Sequence, residues 1–128
     1  MRGRRAGPYQ LQAAIAAVHA EAATPGATRW DEIAALYDRL IKMTFTPVVA
    51  LNRAAAHAMA FGPAAGLALI DQIAGLDGYY LYHSARADLF RRLGRVAEAR
   101  QAYERALELA TNPAEQRFLE RRLRELAG

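Results

Sequence analysis

Apolar residues recur along this chain at helical spacing and break off at regular intervals. From Leu11 onward they fall at i, i+4, i+7 and i+11, which is one face of a helix. Similar runs follow, each bounded by proline, glycine or asparagine. Valine and isoleucine are sparse and scattered, so a β-sheet is not expected. The pattern therefore predicts an all-α fold of about seven helices.

Caps and breakers locate the helix boundaries. Thr46 is predicted to cap a third helix that begins at Pro47, because proline suits the first helical position. The fourth helix is predicted over 64–74, where a glycine-rich segment ends it. Asn112 is predicted to cap the seventh helix, whose polar outer face is crowded with arginine and glutamate.

The chain repeats itself with a period of about 33 residues, a length typical of stacked helical hairpins. The period predicts a right-handed stack of three helical hairpins, at about 8–43, 47–75 and 79–110, closed by a capping helix at 113–127. Residues 1–7 are expected to form a flexible basic lead-in to a single domain over 8–128. The columns that carry the period are Tyr37, Ile70 and Tyr103; Leu40, Ile73 and Ala106; and Ile33, Gly66 and Ala99.

The third copy has the most regular pattern. Residues 79–113 place small side chains at Ala87, Ala99 and Ala106, an aromatic one at Tyr103, and a closing Pro113. Alanines allow two helices to approach closely, and rings fill the space beside them. This stretch resembles a tetratricopeptide repeat, a unit of two antiparallel helices. Stacked units of that kind leave a concave groove lined by the first helix of each pair.

Composition and charge narrow the class of protein. The 128 residues are 53% hydrophobic and include no cysteine, which excludes a disulfide framework and fits a reducing compartment. The net charge is +4, and three of the basic residues are Arg2, Arg4 and Arg5. The remainder is nearly neutral, which argues against direct nucleic-acid binding. No apolar run is long enough for a membrane span. A soluble, cytoplasmic domain with no membrane contact is expected.

Sites for catalysis are not evident in the sequence. The His19-Ala20-Glu21 segment has the first half of a zinc deaminase motif but lacks the later Cys-x-x-Cys. His57 and His83 could meet between hairpins and hold a metal ion, although a packing or groove-wall role is favoured for both. We therefore expect no enzymatic activity, no cofactor and no metal.

A protein-binding groove is the remaining possibility. Polar residues on the first helix of each hairpin that have no capping task are its candidates, although for any single one an ordinary surface or interhelical role is favoured. They are Gln10, Gln12, His19, Asn52, Arg53, His57, His83, Asp88 and Arg91.

Several segments carry a more specific resemblance. They are GPYQLQAAIAAVHAEA at 7–22, DEIAALYDRL at 31–40, TPVVALNRAAA at 46–56, GPAAGLALID at 62–71, and 86–123. Together they resemble the C-terminal tetratricopeptide-like extension of a group of bacterial extracytoplasmic-function sigma factors. The resemblance implies a regulatory domain that modulates transcription initiation through contacts with the sigma-factor core, RNA polymerase or a co-encoded protein. A monomer or weak dimer is expected. Phe45, His57 and Phe61 depart from the pattern of that family.

The alternative function is small-molecule sensing in an apolar pocket between helices, with Trp30, Phe45, His57 and Phe61 as its wall. A deep apolar pocket would favour this alternative, and a shallow open groove would favour a peptide-binding domain. An enzyme of unfamiliar type and a purely structural oligomerisation module are the remaining classes.

Overall fold

The computed structural model describes residues 7–21 and 28–127. Over these ranges the chain forms seven α-helices and no β-strand, as the hydrophobic pattern predicts. The predicted end of the first helix, at Thr24, lies outside the described residues. The helices are α1 (Pro8–Glu21), α2 (Trp30–Met43), α3 (Pro47–Phe61), α4 (Pro63–Ile70), α5 (Tyr80–Arg92), α6 (Val96–Leu109) and α7 (Pro113–Ala127).

Side-chain caps begin two of the helices where the sequence predicts them. The Thr46 hydroxyl oxygen accepts a hydrogen bond from the Val49 backbone N–H at 3.1 Å, and Pro47 occupies the first position of α3. Before α7, the Asn112 side-chain oxygen accepts from the Glu115 backbone N–H at 3.0 Å. Both caps satisfy a backbone donor that the helix itself leaves unpaired.

The helices pack as consecutive antiparallel pairs, α1 with α2, α3 with α4 and α5 with α6, and each pair also packs on the next. The close contacts use the small residues of the repeat columns. Gly66 and Ala99 are buried, and a Cβ added to Gly66 would lie only 2.5 Å from the Cβ of Ala58. Ile33, in the same column of the first hairpin, is fully buried. The repeat therefore fixes where neighbouring helices touch.

One predicted boundary is wrong. The fourth helix ends at Ile70 and not at residue 74. The Gln72 and Ile73 N–H groups donate to the carbonyls of Leu69 and Ile70, which tightens the chain into a turn at the helix end. Beyond this turn Leu76 is buried in the core. Burial of Leu76 favours leaving the helix early, which local sequence does not reveal.

The last helix closes the stack. Leu119 of α7 is fully buried against the third hairpin, while Arg117, Glu120, Arg121 and Arg124 are exposed. A polar outer face of this kind is what a terminal helix of a repeat stack requires. Within the described ranges, no helix has both the length and the apolar character needed to cross a membrane.

Candidate functional site

Two solvent-accessible helix faces run side by side in register. Val48, Asn52, Ala55 and Met59 follow one face of α3 at helical spacing. The corresponding positions of α5, each one repeat later, are Leu81, Ala85, Asp88 and Arg92. We call this pair of faces the α3/α5 groove.

A small cavity lies in the floor of the α3/α5 groove. Its volume is about 110 Å³. Most of its lining residues are alanine, leucine, isoleucine and methionine, and the polar contribution comes from Asp88 and Arg92. The space exists because alanine side chains are small, and larger side chains at these positions would fill it. The full lining is Ala55, Ala58, Met59, Ile70, Ala85, Asp88, Leu89 and Arg92.

Asp88 organises the charged part of the groove. Its carboxylate accepts from Nη2 of Arg91 and lies 2.9 Å from Nε of Arg92. Nη1 of Arg92 also contacts the Met59 sulfur at 3.6 Å, so this side chain crosses from α5 to α3. The hydrogen bond to Asp88 is the largest of the effects that raise the pKa of Arg91. Two guanidinium groups thus share one carboxylate, which leaves the cluster with a net positive charge.

The predicted residues of the second hairpin divide between two surfaces. Asn52 is exposed on the α3/α5 groove. Arg53 and His57 instead contact α2, where Asp38 Oδ1 lies 2.7 Å from Arg53 Nε and 2.8 Å from His57 Nε2. Partial burial acts to raise the pKa of Asp38, but the hydrogen bonds from Arg53 and His57 outweigh it, and the pKa is lowered. Arg53 and His57 therefore join the first and second hairpins.

The third hairpin divides in the same way. Asp88 lines the cavity of the α3/α5 groove, and Arg91 is its ion-pair partner. His83 Nε2 instead donates to the Asp77 carbonyl at 2.7 Å. His83 lines a separate open cleft of about 250 Å³ beside α6. His57 and His83 therefore have different partners and share no metal position. Among the described residues, no group of three or more His, Asp or Glu side chains is arranged to hold a metal ion.

The three candidates on α1 lie apart from the α3/α5 groove. Gln10 and Gln12 are exposed, and Gln10 Oε1 accepts from the Gly7 backbone N–H at 2.7 Å. The exposed His19 ring meets Trp30 edge-on, with the ring centroids 5.1 Å apart. These side chains make local contacts and do not lie next to Asn52 or Asp88.

The predicted wall of a small-molecule pocket is assembled only in part. The His57 and Phe61 rings lie 5.4 Å apart, but Phe45 and Trp30 do not join them. Phe45 precedes α3 and Phe61 ends it, and their side chains are 73% and 61% exposed. Trp30 packs against His19 on the first hairpin. A helix of this length holds its two ends about 20 Å apart, so these rings do not face one cavity.

Sequence reasoning missed the apolar members of the α3/α5 groove. It searched for polar side chains, whereas Val48, Met59 and Leu81 are exposed by about half of their surface. The repeat period, applied to Val48 and Leu81 as well as to the core columns, would have placed them on one face.

Comparison with known proteins identifies the architecture. Residues 80–113 match the family described as tetratricopeptide repeat. The first tetratricopeptide repeat domain of Spaghetti (RPAP3), solved with the HSP90 peptide SRMEEVD, superposes with a TM-score of 0.74. The two are 23% identical over 94% of this chain and 90% of that one. The chain has a tetratricopeptide-repeat-like fold. The first such domain of human RPAP3, solved by NMR, gives a TM-score of 0.72 at 24% identity, over 94% of this chain and 92% of that one.

The tetratricopeptide-like domain also has a relative in a longer protein. An uncharacterized protein of Rhizobium meliloti (strain 1021) is 48% identical over 129 aligned residues. The match includes all of this chain but spans only 30% of the relative's length.

Proposed function

We propose that this domain is a non-catalytic protein-interaction module that holds a segment of another protein in the α3/α5 groove. The groove itself is the observation that carries the proposal, because two helices of successive repeats present matching faces with exposed apolar side chains. The cavity of the α3/α5 groove, at about 110 Å³, is far smaller than the roughly 300–1,000 Å³ of typical small-molecule pockets. This difference favours a peptide over a small molecule as the ligand of the groove. The Spaghetti domain, which shares this fold, is solved with a bound peptide, and this supports a peptide as the ligand.

The finer proposal concerns the protein that contains the domain. The segments at 7–22, 46–56 and 86–123 resemble the extension of extracytoplasmic-function sigma factors. On that basis the domain is a regulatory part of such a factor, in the cytoplasm. It modulates transcription initiation by contacting the sigma-factor core, RNA polymerase or a co-encoded protein. The greater length of the Rhizobium relative is consistent with attachment of the domain to a larger protein.

The first test examines the part of the Rhizobium relative outside the matched segment. The proposal expects the promoter-recognition and polymerase-binding regions of a sigma factor there, including a helix-turn-helix. A catalytic domain in their place would contradict the sigma-factor role and leave the interaction role standing.

The second test measures binding directly. A photo-reactive residue introduced at Asn52, which is exposed on the groove, is expected to cross-link to purified sigma-factor core, RNA polymerase or the co-encoded protein. The matched control carries the photo-reactive residue at Arg100, which is exposed on α6. Equal cross-linking from the two positions, or none from Asn52, would contradict binding in the α3/α5 groove.

A further inference from the structure

We propose that the segment held in the α3/α5 groove is acidic and amphipathic. It places one aliphatic side chain in the groove cavity and a neighbouring carboxylate against Arg92. This inference rests on the proposed function, and it specifies the chemistry of the partner.

The cavity selects an aliphatic anchor. At about 110 Å³ it is smaller than an apolar cavity of about 150 Å³ that accommodates benzene, so it suits a single branched aliphatic side chain better than a ring. Ala55, Ala85 and Leu89 supply apolar contact surface. Burial of a side chain there removes apolar surface of both molecules from water, which favours binding.

Exposed apolar side chains continue from the cavity along both helices. Val48 is 50% exposed, Leu81 48% and Met59 46%. The alignment of Val48 with Leu81, one repeat apart, gives a partner further apolar contact at the beginning of the groove. An amphipathic segment would cover these side chains with its apolar face.

The positive charge selects an acidic neighbour. Arg91 and Arg92 share the single carboxylate of Asp88, so one guanidinium charge at the cavity edge is uncompensated. The Arg92 side chain is 40% exposed, so its guanidinium can donate to a second carboxylate. Charge complementarity therefore favours an acidic partner over a neutral or basic one.

The test uses labelled synthetic peptides and the whole chain. One peptide carries leucines at helical spacing with glutamates between them, and its matched peptide has glutamine at every glutamate. Fluorescence anisotropy is expected to show tighter binding of the glutamate peptide, weakening as salt is raised. Chemical shifts are expected to change at Ala55, Met59 and Ala85.

Variants separate the anchor from the charge. Arg92→Met keeps the long side chain and is expected to weaken the glutamate peptide about tenfold while leaving the glutamine peptide unchanged. Arg100→Met, on the exposed surface of α6, is the control for lost positive charge. Ala85→Leu, which fills the cavity, is expected to weaken both peptides. The melting temperature of each variant is measured to check that the variant remains folded.

Equal binding of the two peptides would overturn the charge selection, and unchanged binding to Ala85→Leu would overturn the anchor. Absence of binding, or chemical-shift changes confined to other surfaces, would also overturn the inference. In each case the cross-linking from Asn52 still decides the proposed function, because it does not depend on the chemistry of the partner.

Discussion

The carboxylate of Asp38 lies 2.7 Å from Nε of Arg53 and joins the last helix of the first hairpin to the first helix of the second. The same link recurs one repeat later, where Asp71 lies 3.2 Å from Nη2 of Arg86. Successive hairpins are thus held in register by a repeated ion pair as well as by apolar packing. The two pairs differ in geometry, which allows them to be compared within one protein.

A double-mutant cycle measures the two links. For Asp38→Asn with Arg53→Met we expect a coupling energy of about 0.5–1 kcal/mol, within the range of partly exposed ion pairs. For Asp71→Asn with Arg86→Met we expect less, because the distance is longer and Asp71 is 52% exposed against 40% for Asp38. Urea denaturation gives the free energies of unfolding. A stronger coupling in the second pair would contradict this ranking.

The Asp38 cluster predicts a specific dependence on acid. Partial burial acts to raise the pKa of Asp38, but the hydrogen bonds from Arg53 and His57 hold it below its ordinary value. Asp38 therefore stabilises the fold above the unfolded pKa of about 3.9, and this contribution is lost as pH falls through the lowered pKa. Asp38→Asn is expected to lose less stability than the wild type between about pH 5 and pH 2, by about 1 kcal/mol or less at this exposure.

Thermal denaturation across that range checks the prediction. Glu104→Gln, at an exposed position, controls for the loss of one negative charge. Parallel acid profiles for the wild type and Asp38→Asn would show that the cluster does not stabilise the fold.

Gly66 is the tightest contact of the second hairpin. An alanine Cβ there would lie 2.5 Å from Ala58 Cβ and 2.8 Å from the Ala54 carbonyl oxygen, so α3 and α4 would have to separate. We expect Gly66→Ala to lower the free energy of unfolding by about 1–3 kcal/mol. Gly78→Ala is the control, since an added Cβ meets nothing within 4 Å. Equal melting temperatures for the two variants would contradict the assignment.

Ala99 occupies the corresponding position of the third hairpin and is fully buried. Ala99→Leu is expected to overpack the contact between α5 and α6 and to cost about 1–3 kcal/mol. Ala97→Leu adds the same side chain two positions away on an exposed face and is expected to change little. Calorimetric melting of the two variants makes the comparison. A wild-type melting temperature for Ala99→Leu would remove Ala99 from the close contact.

Local signals were sufficient for most of the fold. Thr46 and Asn112 act as caps because their side chains bond to backbone within the same turn, which sequence spacing reveals. α4 ends at Ile70, and Leu76 beyond it is buried in the core, a tertiary contact that has no signal near Ile70. The local stop signal is the glycine-rich segment after residue 74, so the sequence predicts too long a helix.

The candidate site was less accessible to sequence reasoning. Asn52 and Asp88 could be placed on the groove because they lie on the first helix of a hairpin. The same rule also selected Arg53 and His57, since it does not specify which side of that helix faces a neighbour. Only the packing of α3 on α2 separates the residues that join hairpins from those free to meet a partner.

The buried Leu119 bears on how further hairpins could be added to the repeat array. Leu119 stands one repeat after Arg86, at the position where the second and third hairpins have arginine. Glu104 stands one repeat after Asp71, at the position of the aspartate that pairs with this arginine. The aspartate–arginine ion pair that joins one hairpin to the next is therefore replaced at α7 by the apolar contact of Leu119. An array lengthened by duplicating the second hairpin internally would keep the ion pair, because that hairpin carries both Arg53 and Asp71.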